Sequence, residues 1–114
     1  MAGVVHIPWY ATGFRGDKLA EAVALGAAAS IRYGATQYSV QRSRDDRYKI
    51  LQMVWFESKL DWERYWLGPE MVNLRANCSG WFQIPVLYVW HDEVAADVVT
   101  VEAAASAPAP ASVA

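Results

Sequence analysis

The chain has 114 residues, of which 54% are hydrophobic and 19% charged, and this balance predicts one globular domain rather than a disordered segment. Its net charge of −2 offers no basic surface of the kind that binds nucleic acid, and no apolar run is long enough to cross a membrane. One cysteine and two histidines exclude an internal disulfide and a structural zinc site, and with no leader segment apparent we expect a cytoplasmic protein.

The first half of the chain predicts a strand, a helix and a hairpin. Residues 4–10 (VVHIPWY) are β-branched and aromatic, as strands are. Residues 16–34 carry apolar side chains near helical spacing and end on Gly34, which suits a left-handed C-terminal cap. Residues 35–43 and 48–56 flank the polar turn SRDD and therefore predict a β-hairpin.

The second half predicts two helical segments and a last strand. Residues 58–61 (SKLD) resemble a capping box with Asp in place of Glu, so a helix should begin there and run to about residue 67. A Gly-Pro pair then breaks the helix, and residues 71–76 resume it. Residues 84–91 (IPVLYVWH) predict the final strand.

The element order βαββαβ predicts a ferredoxin-like α+β fold, a four-stranded antiparallel sheet with both helices on one face. The strand over residues 48–56 is apolar on both faces, which indicates a central position. No further element is left to cover the second sheet face, so we expect a homodimer through that open face. Residues 1–96 form this domain, and residues 97–114 are predicted to be a flexible Ala/Pro-rich tail.

The junction between the third strand and the second helix carries the most specific motif. The stretch YKILQMVWFES (48–58), followed by a helix with an aromatic at its fifth position and a Gly-Pro break, resembles the antibiotic biosynthesis monooxygenase (ABM) group. The resemblance covers roughly residues 3–93. It implies a dimeric α/β barrel and, as in some members of the group, cofactor-independent oxygenation of polycyclic quinols.

The resemblance also implies where a quinol-oxygenase site would lie. The quinol oxygenases have an Asn, a Trp and a Tyr in this site. The equivalent positions in this chain are Gln52, Phe56 and Trp62, so all three residue types differ. Gln52 keeps an amide that donates and accepts hydrogen bonds, whereas Trp62 cannot transfer a phenolic proton. The substitutions preserve the shape of a pocket and put its proton chemistry in doubt.

Among the residues themselves, Gln52 is the most informative. An amide in a doubly covered apolar strand costs about 1–3 kcal/mol unless it is hydrogen-bonded, so it marks either a pocket or a bonded core position. His6 is the default acid or base near pH 7, with a structural role as the simpler alternative, and its strand should lie beside that of His91. The remaining candidates for contacts with a substrate are Trp66, Tyr38 and Tyr88, for which core packing is the alternative.

Two functions fit these candidates. In the first, an enzyme without cofactor or metal uses Gln52 and His6 to deprotonate a flat hydrophobic aromatic ligand, which then reacts with O₂. In the second, the dimer is not catalytic and either binds a hydrophobic ligand or serves a structural role. A space between the second helix and the sheet that Trp62 fills would favour this second function. Arg75 either stabilises an anion at a pocket mouth or is a solvated charge.

Two further functions are disfavoured by what the sequence lacks. Haem-degrading members of the ABM group carry an axial histidine, and the equivalent position here falls near Asn73 or Leu74. An RNA-recognition domain has the same element order, but its third strand needs a basic, glycine-containing aromatic motif that residues 48–56 do not have.

Overall fold

In the computed structural model, which describes residues 2–106, four antiparallel strands form one sheet in the order β2-β3-β1-β4. The strands are β1 (Gly3–Tyr10), β2 (Gln37–Arg42), β3 (Lys49–Phe56) and β4 (Val89–Asp92). The helices are α1 (Gly16–Ala28), which a 3-10 helix (Ala29–Tyr33) continues, α2 (Lys59–Trp66), α3 (Pro69–Asn77) and α4 (Val101–Ser106). The predicted α+β, ferredoxin-like arrangement is confirmed. No helix within residues 2–106 is long and apolar enough to span a bilayer.

Local signals fix the ends of the helices as the sequence predicted. The backbone N–H of Asp61 donates to the Ser58 hydroxyl at 3.2 Å, so Ser58 caps α2. Gly34 ends the 3-10 helix in the left-handed region with φ of 92°. Pro69 occupies the first turn of α3, where its missing N–H costs nothing, so the Gly-Pro pair ends one helix and starts the next.

The last strand is shorter than predicted. The prediction of a strand over residues 84–91 is wrong for the first five of these residues, because β4 pairs with β1 only from Val89 onward. Pro85, which follows a cis peptide bond, has no N–H to give to a sheet ladder. Residues 84–88 instead form a loop along the helix side of the sheet, where Trp62 and Trp66 both contact Tyr88.

The predicted tail contains one ordered element. Residues Val101–Ser106 form the short helix α4, which agrees with the high helix propensity of its alanines. Residues 107–114 of the tail lie outside the described residues. The flexibility of residues 97–114 and the domain boundary at residue 96 stay predictions.

The hydrophobic core lies between the sheet and the helices. Alternate residues of β3 point into it, and Ile50, Gln52, Val54 and Phe56 are all buried. The side chains that cover them from the other elements include Val5, Ile7, Trp9, Leu19, Val23, Trp62, Tyr65, Met71 and Leu74. The opposite surface of the sheet, which we call the open face, carries Leu51, Met53 and Trp55 of β3, and these side chains are only half-buried.

Helices α1 and α3 pack tightly against each other at Gly26. A Cβ atom on Gly26 would lie 2.6 Å from Leu74 Cδ1 and 3.0 Å from Met71 Sδ, and both distances are shorter than ordinary contacts. The absence of a side chain at this position therefore sets how deeply α3 packs onto α1.

We expect Gly26→Ala to lower the free energy of unfolding. Overpacking a core costs about 1–3 kcal/mol, which outweighs the gain of up to about 1 kcal/mol from alanine's helix propensity. The matched control is Gly13→Ala, because no atom lies within 4 Å of the added Cβ there. Denaturant unfolding monitored by circular dichroism measures both variants, and equal midpoints for Gly26→Ala and the wild type would contradict the packing argument.

Candidate functional site

A chain of buried hydrogen bonds surrounds Gln52, the amide that β3 places on the helix side of the sheet. The indole Nε1–H of Trp9 donates to Gln52 Oε1 at 3.0 Å. Gln52 Nε2 donates to the Tyr65 hydroxyl at 2.9 Å, and that hydroxyl donates to the Gly26 carbonyl oxygen at 2.6 Å. The Gln52 amide thus has the buried partners that its location requires.

The space over Gln52 is filled by side chains. Gln52 and Tyr65 are each 0% exposed, and Phe56 and Trp62 are 1% and 2% exposed. Burial raises the pKa of the Tyr65 phenol well above its ordinary value, so the group stays neutral near pH 7. A substrate could contact Gln52 only if Tyr65 or Trp9 moved away, so this closed geometry does not support the predicted catalytic contact.

His6 lies on the other side of the sheet from Gln52. Ile7 pairs with Gln52 across β1 and β3, so the preceding residue, His6, points to the open face and pairs with Met53. The structure therefore does not bring His6 and Gln52 together, because alternation along the strands places their side chains on opposite faces of the sheet, and their joint action on one substrate stays an unsupported prediction. The predicted approach of His6 to His91 is confirmed, with ring centroids 4.4 Å apart.

A cleft of about 490 Å³ opens at the C-terminal end of α2, beside α3 and the loop before β4. Trp66 and Tyr88 form its aromatic wall, with ring centroids 5.2 Å apart. The Arg75 guanidinium carbon stands 4.1 Å from the centroid of the Trp66 ring, within the range of a cation–π contact. The other lining residues are Ser79, Gly80, Phe82, Ile84 and Val86. We call this space the Arg75 cleft.

Arg75 has one guanidinium nitrogen that lacks a partner. Its Nη2 donates to the Trp66 carbonyl oxygen at 2.8 Å. Its Nη1 is buried and makes no hydrogen bond with any residue in the described range 2–106. Burial lowers the pKa of Arg75 from its ordinary value, and the nearby Tyr88 and Tyr65 phenols oppose that shift. Nη1 is closed to solvent in this structure, so a lining side chain would have to move before an anionic oxygen in the cleft could supply its missing hydrogen-bond acceptor.

The predicted site residues fall in three places. Trp66 and Tyr88 line the Arg75 cleft, and their contact with a ligand stays a prediction. Phe56 and Trp62 are core residues in this structure, where a ligand cannot reach them. Tyr38 lies on the edge strand β2 and is 40% exposed. The structure therefore places two of the five predicted binding residues in an open cleft, together with Arg75, for which the sequence left two roles open.

Two residues of the buried network were not candidates from the sequence. Tyr65 lies three residues after Trp62, which places both on the same helical face, and this spacing could have indicated it. Trp9 follows Val5 and Ile7 at steps of two along β1, so all three side chains point to the same face of the sheet, the helix side. Neither pattern reveals that the two side chains meet at Gln52.

No group of three or more His, Cys, Asp or Glu positioned to hold a metal ion exists within residues 2–106. Cys78 is buried, and burial raises the pKa of its thiol, so it does not resemble a reactive thiolate. What the Arg75 cleft offers instead is an aromatic wall beside a cation.

Comparison with known proteins finds similar structures but no similar sequences. No family model and no curated protein sequence matches the chain. A candidate antibiotic biosynthesis monooxygenase of Nitrosomonas europaea matches with a TM-score of 0.75 and 16% identity, over 82% of this chain and 90% of that one. SnoaB, a cofactor-independent oxygenase from Streptomyces nogalater, matches with a TM-score of 0.71 and 11% identity, over 83% of this chain and 95% of that one.

The chain has the antibiotic biosynthesis monooxygenase fold. Rv0793 of Mycobacterium tuberculosis extends the agreement, with a TM-score of 0.74 and 13% identity over 86% of this chain and the whole of that one. The resemblance seen at the junction between β3 and α2 is thereby confirmed at the level of the fold. Sequence identities this low support a shared fold but do not indicate a shared substrate, so the chemistry has to be argued from the site.

We expect Tyr65→Phe to destabilise the protein without changing its shape. The substitution leaves the Gln52 amide without an acceptor and the Gly26 carbonyl without a donor, and unsatisfied buried groups cost about 1–3 kcal/mol. Tyr48→Phe, at a tyrosine that is 40% exposed, is the matched control. Urea unfolding compares the two variants, and an equal loss of stability in both would argue against the buried network.

Proposed function

We propose that the protein binds a flat, anionic aromatic molecule in the Arg75 cleft and oxygenates it without a cofactor. The observation that carries this proposal is the buried Arg75 Nη1, which lacks a partner among the described residues beside an aromatic wall. The Arg75 guanidinium stacks on Trp66, and its Nη2 is held by the Trp66 carbonyl oxygen. Its unpaired Nη1–H can therefore donate to an oxyanion in the plane of a bound ring system.

The chemistry follows from stabilising the anion. Arg75 lowers the pKa of a bound phenol or enol, and the resulting electron-rich anion passes electrons to O₂. One oxygen atom then forms a carbonyl at a ring carbon, and the other leaves as water with the hydrogen of that carbon and the proton of the hydroxyl. Trp66 and Tyr88 hold the ring and exclude solvent from it. The fold shared with SnoaB, described as a cofactor-independent oxygenase, supports this class of reaction.

One observation favours a second candidate function. Tyr65 and Trp62 close the space over Gln52, where the sequence resemblance implied a catalytic centre. A protein that keeps the Arg75 cleft and lacks that centre would bind an aromatic anion without transforming it. Binding without oxygen uptake is the signature of this alternative.

The open face supports a homodimer as part of the same proposal. Leu51, Met53 and Trp55 place three apolar side chains in a row on that face, and all are half-buried in the single chain. A second copy across a two-fold axis would remove this surface from water. The Arg75 cleft lies on the helix side of the sheet, so such a dimer leaves it accessible.

We expect Arg75→Gln to weaken binding of hydroxylated anthraquinones and naphthoquinols by about 10–100-fold, since a hydrogen bond to a charged group contributes about 1.5–3 kcal/mol. The matched control is Arg44→Gln, at an exposed arginine of the β2-β3 turn. Tryptophan fluorescence titration measures the affinity. Ring systems that lack the hydroxyl should bind the wild type and Arg75→Gln equally.

Two outcomes would overturn parts of this proposal. Equal affinity of wild type and Arg75→Gln for the hydroxylated rings would remove Arg75 as the anion-binding group. Tight binding with no oxygen consumption, and no label from isotopic O₂ in the recovered ligand, would replace the oxygenase with the non-catalytic function.

We expect Leu51→Glu to convert a homodimer into a monomer, because a carboxylate on the open face would be desolvated at the interface. Leu60→Glu is the matched control, since Leu60 is 55% exposed on α2 and away from that face. Sedimentation velocity gives the mass of each variant. A wild-type chain that sediments as a monomer at all concentrations would rule out this dimer.

A further inference from the structure

Two histidines and a methionine take neighbouring positions on three adjacent strands of the open face. His6 of β1 pairs directly with Met53 of β3. On its other side, the ring of His6 lies 4.4 Å, centroid to centroid, from the ring of His91 on β4, and the two planes are inclined by 53°. We call these three side chains the His6 cluster. Neither the resemblance nor the proposed reaction uses it.

The distance between the two rings suits ligation of one metal ion. Imidazole nitrogens bind first-row metal ions at about 2.0–2.1 Å, which places the centroids of two such rings on the order of 5 Å apart. The observed 4.4 Å is shorter than this, so ligation requires the two rings to move apart and each to turn one nitrogen toward the ion. Residues paired directly across antiparallel strands have Cβ atoms about 5 Å apart, so the flexible Met53 thioether is also within reach of His6.

Burial of its ring, and secondarily the neighbouring His91, lowers the pKa of His6 from its ordinary value. Along the paired positions of the open face, the other titratable side chains are Tyr10 and Lys49, which pair with each other four residues along β1 from His6.

The donor set selects the kind of metal. No third His, Cys, Asp or Glu joins the two histidines in a metal-binding group within residues 2–106, so the hard oxygen ligands that Mg²⁺ and Ca²⁺ require are missing. Two imidazoles and a thioether are soft to borderline donors, and thioether sulfur favours Cu(I) over Zn²⁺.

We propose that the His6 cluster binds one Cu(I) ion per chain, through His6, His91 and Met53. This site is separate from the Arg75 cleft, since the cluster lies on the open face and the cleft lies on the helix side. It therefore does not depend on the proposed oxygenase activity, but it shares Met53 and the open face with the proposed homodimer, which would enclose it.

The experiment is an anaerobic competition between the full chain and a chromophoric Cu(I) chelator. The chain contains only two histidines and one cysteine, so binding through imidazole reports this pair alone. His6→Gln and His91→Gln should each weaken Cu(I) binding by at least about tenfold. Met53→Leu, which keeps the volume and both histidines, should weaken Cu(I) binding and leave Zn²⁺ binding unchanged.

A matched control and a pH series sharpen the test. Cys78→Ser removes the only thiol, which is buried on the helix side, and should leave the Cu(I) affinity unchanged. The affinity should fall as pH decreases from about 7.5 to about 5.5, because protons compete for the same imidazole nitrogens. Circular dichroism of each variant confirms that a lost site is not a lost fold.

Four results would overturn the proposal. These are failure of the wild type to withdraw Cu(I) from the chelator, wild-type affinity in either histidine variant, wild-type affinity in Met53→Leu, and loss of binding in Cys78→Ser. Oxygen-uptake assays on the same variants keep this outcome separate from the Arg75 proposal, because none of the changed residues lines the Arg75 cleft.

Discussion

The fold depends on the buried amide of Gln52, because a polar group at this position cannot reach water and must find its partners in the core. Three elements supply them. Trp9 comes from β1, Tyr65 from α2, and the Gly26 carbonyl of α1 accepts the proton of the Tyr65 hydroxyl in turn. These directional hydrogen bonds add to the close packing of the core in fixing how α1 and α2 lie over the sheet.

The same network explains where a ligand can bind. The side chain of Tyr65 occupies the space over Gln52, and the Arg75 cleft opens beyond it, at the end of α2. Trp62 stacks on Trp66 with centroids 5.2 Å apart and planes 28° apart, so the core extends directly into the wall of the Arg75 cleft. A wall supported in this way is rigid, and rigidity lowers the entropic cost of holding a flat ligand.

Much of the fold was predictable because its signals are local. Alternation along β3 gave the two faces, a serine and an aspartate three residues apart gave the start of α2, and Gly34 gave the end of the first helical segment. The start of β4 was not predictable in the same way. The apolar residues 84–88 look like a strand, and only pairing with β1 shows that the ladder begins at Val89.

The site was predictable only in part, because its geometry comes from contacts between distant segments. The sequence indicates that Gln52 faces the helices, but it cannot tell whether a ligand or a tyrosine meets the amide there. Separating His6 from Gln52 required only strict alternation along two strands, whereas the role of Arg75 depends on a loop whose path sequence patterns do not specify. The resemblance to ABM proteins predicted the fold correctly. The position where it implied a catalytic centre is filled by buried side chains in this structure.

The hydrogen bonds of Gln52 also have a consequence for how this protein evolves. Because each partner would be left unsatisfied if another changed, Trp9, Gln52 and Tyr65 are expected to vary together among its descendants and relatives. Gly26 is constrained twice, by its contact with α3 and by the proton that its carbonyl accepts. Homologues that retain these four residues would share the closed space, and those that have lost the tyrosine would be the ones in which a pocket over the sheet has reopened.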